Sequence, residues 1–147
     1  MSTLTECLQS DHRRLDAILV KCKALAAAGS FPEAASHFAT FAQGLSRHID
    51  AEEDVLFPAL EDWSPDAAGP MHVMKIEHVR IRELNAAIGS ALEKRDGGWK
   101  GLVQQLEEVL GAHNLKEERV LYPSADQASK GAPDAEQVRD GILRLLG

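Results

Sequence analysis

The chain has 147 residues, enough for one domain with a buried core. Its 44% hydrophobic and 27% charged content is that of a globular protein, and a net charge of -7 argues against a nucleic acid or an anionic membrane surface as partner. No apolar run approaches the roughly 20 residues of a membrane span, and the N-terminal residues lack the basic, then apolar, pattern of a signal peptide. The expectation is one domain over residues 1–147 in the cytoplasm.

The first predicted helix runs from about Thr3 to Ala28 and stops at Gly29, a residue suited to the position past a helix end. It carries Cys7 and Cys22 about 22 Å apart at 1.5 Å per residue, beyond disulfide reach. Neither cysteine belongs to a CxxC pair. Ser30-Phe31-Pro32-Glu33 reads as a capping box that opens a second helix to about Trp63, with Pro58 ending or bending it. Ser64-Pro65 opens a third, which Gly69-Pro70 could delay by a turn and Asp96-Gly97-Gly98 closes. The fourth spans about Trp99 to Tyr122 and is closed by Pro123. A short final helix over about 133–146 presents Val138, Ile142 and Leu145 on one face.

Leu4, Leu8, Leu15, Leu19 and Cys22 follow a 4-then-3 rhythm once position 12 is included. Phe38, Phe41, Leu45 and Val55 do so around positions 48 and 52, as do Met71, Met74, Ile81, Ile88 and Leu92 around 78. Leu102, Leu106, Val109 and Val120 complete the pattern around 113 and 117. This is the seam of packed helices, and strand-type alternation is absent. The expected fold is all-α: an antiparallel up-and-down four-helix bundle over about 3–123 with a short C-terminal helix.

The residues missing from those stripes are His12, His48, Glu52, His78, His113 and Glu117. Counted from the predicted hairpin ends, His12 and His48 both lie about 24 Å along their helices, and His78 and His113 agree within about one turn. All six therefore meet in one layer. Two buried carboxylates need a compensating positive charge there. His48 to Pro58 and His113 to Pro123 both read HxxxEExVL[FY]P, and Asp11-His12-Arg13-Arg14-Leu15 resembles Glu77-His78-Val79-Arg80-Ile81. The chain thus reads as two related helical hairpins. In HxxxE the imidazole and carboxylate share a helix face. Four histidines and two glutamates are too many for one tetrahedral zinc and suit two metals bridged by carboxylates. Mixed imidazole and carboxylate ligation favours iron, with manganese or zinc as competitors.

These motifs resemble the hemerythrin/HHE cation-binding family over about Thr3 to Pro123. The resemblance implies a four-helix bundle holding a non-haem di-iron centre. It makes His12, His48, His78 and His113 terminal ligands, and Glu52 and Glu117 bridges beside an oxo, hydroxo or water bridge. It implies dioxygen or a related small molecule as partner, bound, sensed or used in iron handling. The alternative is a redox enzyme acting on oxygen, nitric oxide or peroxide, or one that repairs iron centres. A regulatory interaction module is a third reading, and a homodimer stays open. The ExxH arms of ferritin-like proteins are absent. Oxygen-carrying hemerythrins have a fifth histidine where this chain has Met74, and His72 points about 120° away from His78 around the helix.

Other polar residues have plainer readings. Glu118 is an alternative to Glu117, since i+5 spacing also occurs in the family; otherwise Glu53 and Glu118 support the ligands or face solvent. His37, about 16 Å below His48, reads as a core or interface histidine. Tyr122, nine residues after His113, falls on the opposite face and reads as packing. Trp63 and Trp99 cover helix ends, and Met71 and Met74 fill the core.

Overall fold

A computed structural model describes residues 2–147. Helices α1 (Leu4–Ala27) and α2 (Phe31–Asp50) are followed by a π-helical segment, Ala51–Leu56, and α3 (Phe57–Trp63). A 3-10 turn at Pro65–Ala67 leads into α4 (Ala68–Glu93). Then come α5 (Trp99–Lys116), a second π-helical segment Glu117–Leu121, α6 (Tyr122–Ser129) and α7 (Ala135–Leu146). Among the described residues there is no strand, and no helix is long and apolar enough to cross a membrane. The chain is all-helical, as its apolar periodicity requires.

Local chemistry departs from expectation at two helix ends. The capping box forms at Thr3, whose hydroxyl accepts from the Glu6 amide while the Glu6 carboxylate accepts from the Thr3 amide. Ser30 makes no side-chain cap. Its amide instead bonds the Leu25 carbonyl at 2.9 Å and helps close α1 around Gly29, which takes φ +80°. Ser30 is thereby held at ψ 64°, away from the extended geometry that aims a capping hydroxyl at the next helix. The same closure recurs after α4, where the Asp96 amide reaches the Ala91 carbonyl. There the left-handed position falls on Arg95, φ 53°, and not on the glycines that follow it.

Pro123 does not close the fourth helix, and Pro58 does not end the second. In both arms a π turn precedes the proline: the Phe57 amide bonds the Glu52 carbonyl, and the Tyr122 amide bonds the Glu117 carbonyl. A proline ring inside an α-helix would clash with the carbonyl four residues back. The wider turn relieves that clash, and helix resumes through Ser129. The extension matters because Asp126 on α6 caps α1, accepting from the Leu4 and Thr5 amides at 2.8 and 3.1 Å.

Helix α1 packs on α2, α4 on α5, and α2 on α4. Gly44 lets α1 and α2 approach closely, since a methyl group there would stand 2.7 Å from Leu15 Cδ2. Buried side chains form two apolar clusters. One, with Leu15, Phe38, Phe41, Ile88, Trp99 and Leu106, fills the part nearest the α1–α2 and α4–α5 turns. The other, with Leu4, Leu8, Leu56, Phe57, Met74 and Leu121, fills the opposite part. Helix α7 joins the second cluster through Ile142, with Val138 and Leu146 partly buried against it; Leu145 stays exposed. Between the clusters lies a layer of buried polar side chains.

Arg95 is exposed and left-handed, a conformation that costs a non-glycine residue about 1 kcal/mol. Arg95→Gly is therefore expected to raise unfolding free energy by about 0.5–1 kcal/mol, read by urea denaturation. A destabilised variant would contradict the closure described for α4.

Candidate metal centre

His12 on α1, His48 on α2, His78 on α4 and His113 on α5 meet with Glu52 and Glu117 from the two π segments. None is more than 3% exposed. Each carboxylate is turned so that its two oxygens face different histidine pairs. Glu52 Oε1 lies 3.1 Å from His78 Nε2, and its Oε2 lies 3.6 Å from His48 Nε2. Glu117 Oε2 lies 3.2 Å from His113 Nε2, and its Oε1 lies 3.3 Å from His12 Nε2. Two candidate metal positions result: Glu52, His78, His113 and Glu117 offer donors within 4.8 Å of one another, and so do His12, His48 and Glu117.

The outer nitrogen of every one of these imidazoles meets a carboxylate. His48 Nδ1 donates to Asp11 at 2.8 Å and His113 Nδ1 to Glu77 at 2.9 Å. His78 Nδ1 donates to Glu53 at 2.6 Å and His12 Nδ1 to Glu118 at 3.0 Å. Such a bond fixes the ring and leaves Nε2 facing inwards, able to take a metal ion. The pattern follows the internal repeat. The acid before each first histidine, Asp11 or Glu77, holds the second histidine of its own hairpin, and the acid after each inner glutamate crosses to the other hairpin. Arg14 and Lys116 neutralise Asp11 and Glu77 from outside. Glu53 and Glu118 thus face the outer nitrogens of His78 and His12, whereas Glu52 and Glu117 face the inner ones. Asp11 and Glu77 were legible only as acids repeated one residue before His12 and His78.

Tyr122 is the residue the spacing misplaced. Nine residues of α-helix would turn it to the far face from His113. The π segment between them inserts one residue and so withdraws about 100° of rotation, which brings the ring inwards. Its hydroxyl lies 2.6 Å from Glu52 Oε2 and 2.9 Å from Glu117 Oε1, both of which can accept its proton. It also lies 3.1 Å from His48 Nε2 and 3.2 Å from His12 Nε2. The equivalent residue of the first arm, Phe57, stacks on His78 with centroids 6.0 Å apart and planes within 2°.

Charges in this layer hold one another. Burial alone would push the His48 and His113 imidazoles down, yet the inner carboxylates, with Asp11 and Glu77 outside, raise them to about 10 and about 9. Burial would likewise raise Glu52, but Glu117 and the facing imidazoles bring it well below the usual range. Burial, then the Glu117 and Glu52 charges, push the Tyr122 phenol well above its ordinary value, so it stays protonated as a donor. Where the imidazole protons sit on the outer Nδ1 atoms, Glu52 Oε1 and Glu117 Oε2 are buried without a hydrogen bond. Orphaned anionic oxygens in a dry layer are costly, and a bound cation removes the cost. The donor set fits metal ions.

The remaining histidines are elsewhere. His72 is exposed, and His37 is partly exposed with Nδ1 bonded to the Glu33 carbonyl of its own helix. Trp63 reaches Asp134 through its indole N–H, and Trp99 is buried. Cys7 and Cys22 are free thiols.

Comparison with curated proteins gives no match, and neither does comparison with solved structures. The family model described as "Hemerythrin HHE cation binding domain" matches residues 3–125. That span contains both HxxxE arms, their partners on α1 and α4, and Tyr122. With its histidine and glutamate groups arranged to hold metal, this chain belongs to the hemerythrin HHE cation-binding family.

Proposed function

We propose that the chain is a single hemerythrin-like domain, an antiparallel four-helix bundle with α7 laid against it, that holds two metal ions and binds a small ligand such as dioxygen. The observation that carries this reading is the split presentation of Glu52 and Glu117, each with one oxygen towards each histidine pair. His12, His48, His78 and His113 would be terminal ligands, the two glutamates bridges, and Tyr122 a further oxygen donor. Iron suits hard oxygen and imidazole donors and leaves room for an exogenous ligand; manganese and zinc are competitors. Bound iron would supply the electrons and the coordination position for the small ligand. The protein's part is to fix the imidazoles through four outer carboxylates and to keep the layer dry between two apolar clusters.

The second reading, a redox enzyme acting on oxygen, nitric oxide or peroxide, is favoured by Tyr122. An anionic oxygen donor stabilises the higher oxidation state of iron and so works against reversible carriage. Metal analysis with optical spectra, in air and after reduction under argon, separates the two. A band that comes and goes with oxygen supports binding, and rapid oxidation with turnover supports the enzyme.

Purified protein is expected to hold about two metals per chain. Glu52→Ala and Glu117→Ala should each bring this below about one and shrink the metal-induced rise in melting temperature, because metal binding couples to folding. Full loading of both variants would remove the bridging role.

Removing one outer carboxylate while keeping its shape isolates the support of the rings. Glu118→Gln or Glu77→Gln should weaken metal affinity about 10- to 100-fold with little change in helicity. Competition with a chromophoric chelator measures this, and unchanged affinity would make the outer bonds incidental.

The metal-free protein should have its own pH profile. His48 and His113 sit near 10 and 9 when folded, against 6.5 for the unfolded side chains. Their contribution is complete below pH 6.5, falls progressively above it, and is gone once pH has passed 9 to 10. Asp11, Glu52 and Glu77 are lowered, so their contribution is lost on acidification below the normal carboxylate range. Metal-free protein should therefore melt lower at about pH 8 than at about pH 6, and metal, which binds deprotonated ligands, should reverse the order. Equal melting temperatures across both pH values and both states would contradict this.

A further inference from the structure

We propose that the external small ligand of this centre binds on the His78/His113 side, beside Met74, and that Tyr122 closes the His12/His48 side. This deepens the di-metal reading above and rests on it.

The two sides draw their histidines and glutamates from equivalent positions of the repeat, and among the inner donor atoms they differ by one hydroxyl. Around the His12/His48 side stand His12 Nε2, His48 Nε2, Glu52 Oε2, Glu117 Oε1 and the Tyr122 oxygen, the last within 3.2 Å of all the others. Around the other stand His78 Nε2, His113 Nε2, Glu52 Oε1 and Glu117 Oε2. The residue equivalent to Tyr122 is there Phe57, a carbon ring flat against His78 with nothing to donate. The protein thus offers five donor atoms to one metal and four to the other. A first-row metal with such ligands accepts up to about six, so the His78/His113 side has more room for a molecule from outside. A metal ion held there would take the Tyr122 oxygen as phenolate, the phenol proton being released to solvent.

Access points to the same side. An apolar depression of about 240 Å³ lies between α4 and the second π segment, lined by Pro70, Val73, Met74, Lys116, Val120 and Leu121. Its two buried lining residues are Met74 and Leu121, at 4% and 3% exposure. Met74 stands one helical turn before His78, and Leu121 one turn after Glu117. The depression is below the roughly 300 Å³ at which drug-sized sites begin, and five of its six lining side chains are carbon and sulfur. Its apolar lining favours a small, weakly polar molecule over a strongly polar one.

The test loads the full chain with ferric iron, counts metal per chain, and uses azide as the probe. The phenolate-to-iron absorption band reports Tyr122 independently of any activity. Azide is expected to add its own band in the wild type and leave the phenolate band in place. Tyr122→Phe, which copies the residue found at position 57, should lose the phenolate band and still bind azide. Met74→His should keep two irons and the phenolate band but bind azide about tenfold more weakly, a shift of about 1.4 kcal/mol. If that variant does not fold, Met74→Gln, close to methionine in volume, replaces it with the same expectation. Val73→Trp at the exposed rim should slow azide association severalfold with an unchanged spectrum. Loss of the phenolate band on azide addition, wild-type azide affinity in the position-74 variant, or unaltered association in Val73→Trp overturns the inference. Fewer than two irons in the wild type overturns the di-metal reading itself, and this inference with it.

Discussion

Glu52 and Glu117 lie on facing helices with no exposed surface, and each has one oxygen that no hydrogen bond satisfies. Two such charges in a dry layer oppose folding unless positive charge meets them. The rest of the structure answers that requirement. Four imidazoles surround the pair, four further carboxylates hold those imidazoles in place, and Arg14 and Lys116 offset two of the outer acids at the surface. Carboxylate, imidazole and carboxylate alternate outwards, so that every member has a partner except the two inner oxygens.

The layer also explains the division of the core. Apolar residues cannot interleave with it, so they gather above and below as separate clusters. The cluster nearest the turns is built from the regular helix seams. The other is built largely from residues beyond the π segments, from α7 and from the start of α1, which Asp126 caps from α6. The helix that continues past Pro123 therefore anchors the N-terminal helix and carries Tyr122 inwards. One local widening of the helix serves the polar layer, the packing and the cap at once.

The repeat is equally informative where it fails. Its two arms share histidines, glutamates, outer acids, π turns and prolines, and Phe57 and Tyr122 occupy matching places over His78 and His12. Among the inner donor atoms, a single phenol oxygen separates the two sides of the layer. A nearly symmetric layer is thereby made directional, with one half that carries a phenol oxygen and one covered by the carbon ring of Phe57.

Much of this was legible without coordinates. Apolar periodicity determined that the chain is helical, and the interruptions of that periodicity by His12, His48, Glu52, His78, His113 and Glu117 marked the layer, because a polar residue on a buried seam needs a partner. Spacing could place them at one height because rise per residue is constant in an α-helix. What it could not foresee were the departures from that constant. The π turns at Ala51–Leu56 and Glu117–Leu121 change the rotation of everything that follows, which is why Tyr122 stands among the inner histidines and glutamates and Pro123 does not end its helix. Nor could spacing assign which acid holds which imidazole, since Glu53 and Glu118 reach across to the other hairpin. Periodicity is a property of one helix at a time, whereas the split faces of the two glutamates, the pairing of the outer carboxylates and the position of one phenol depend on how separate helices are set against each other.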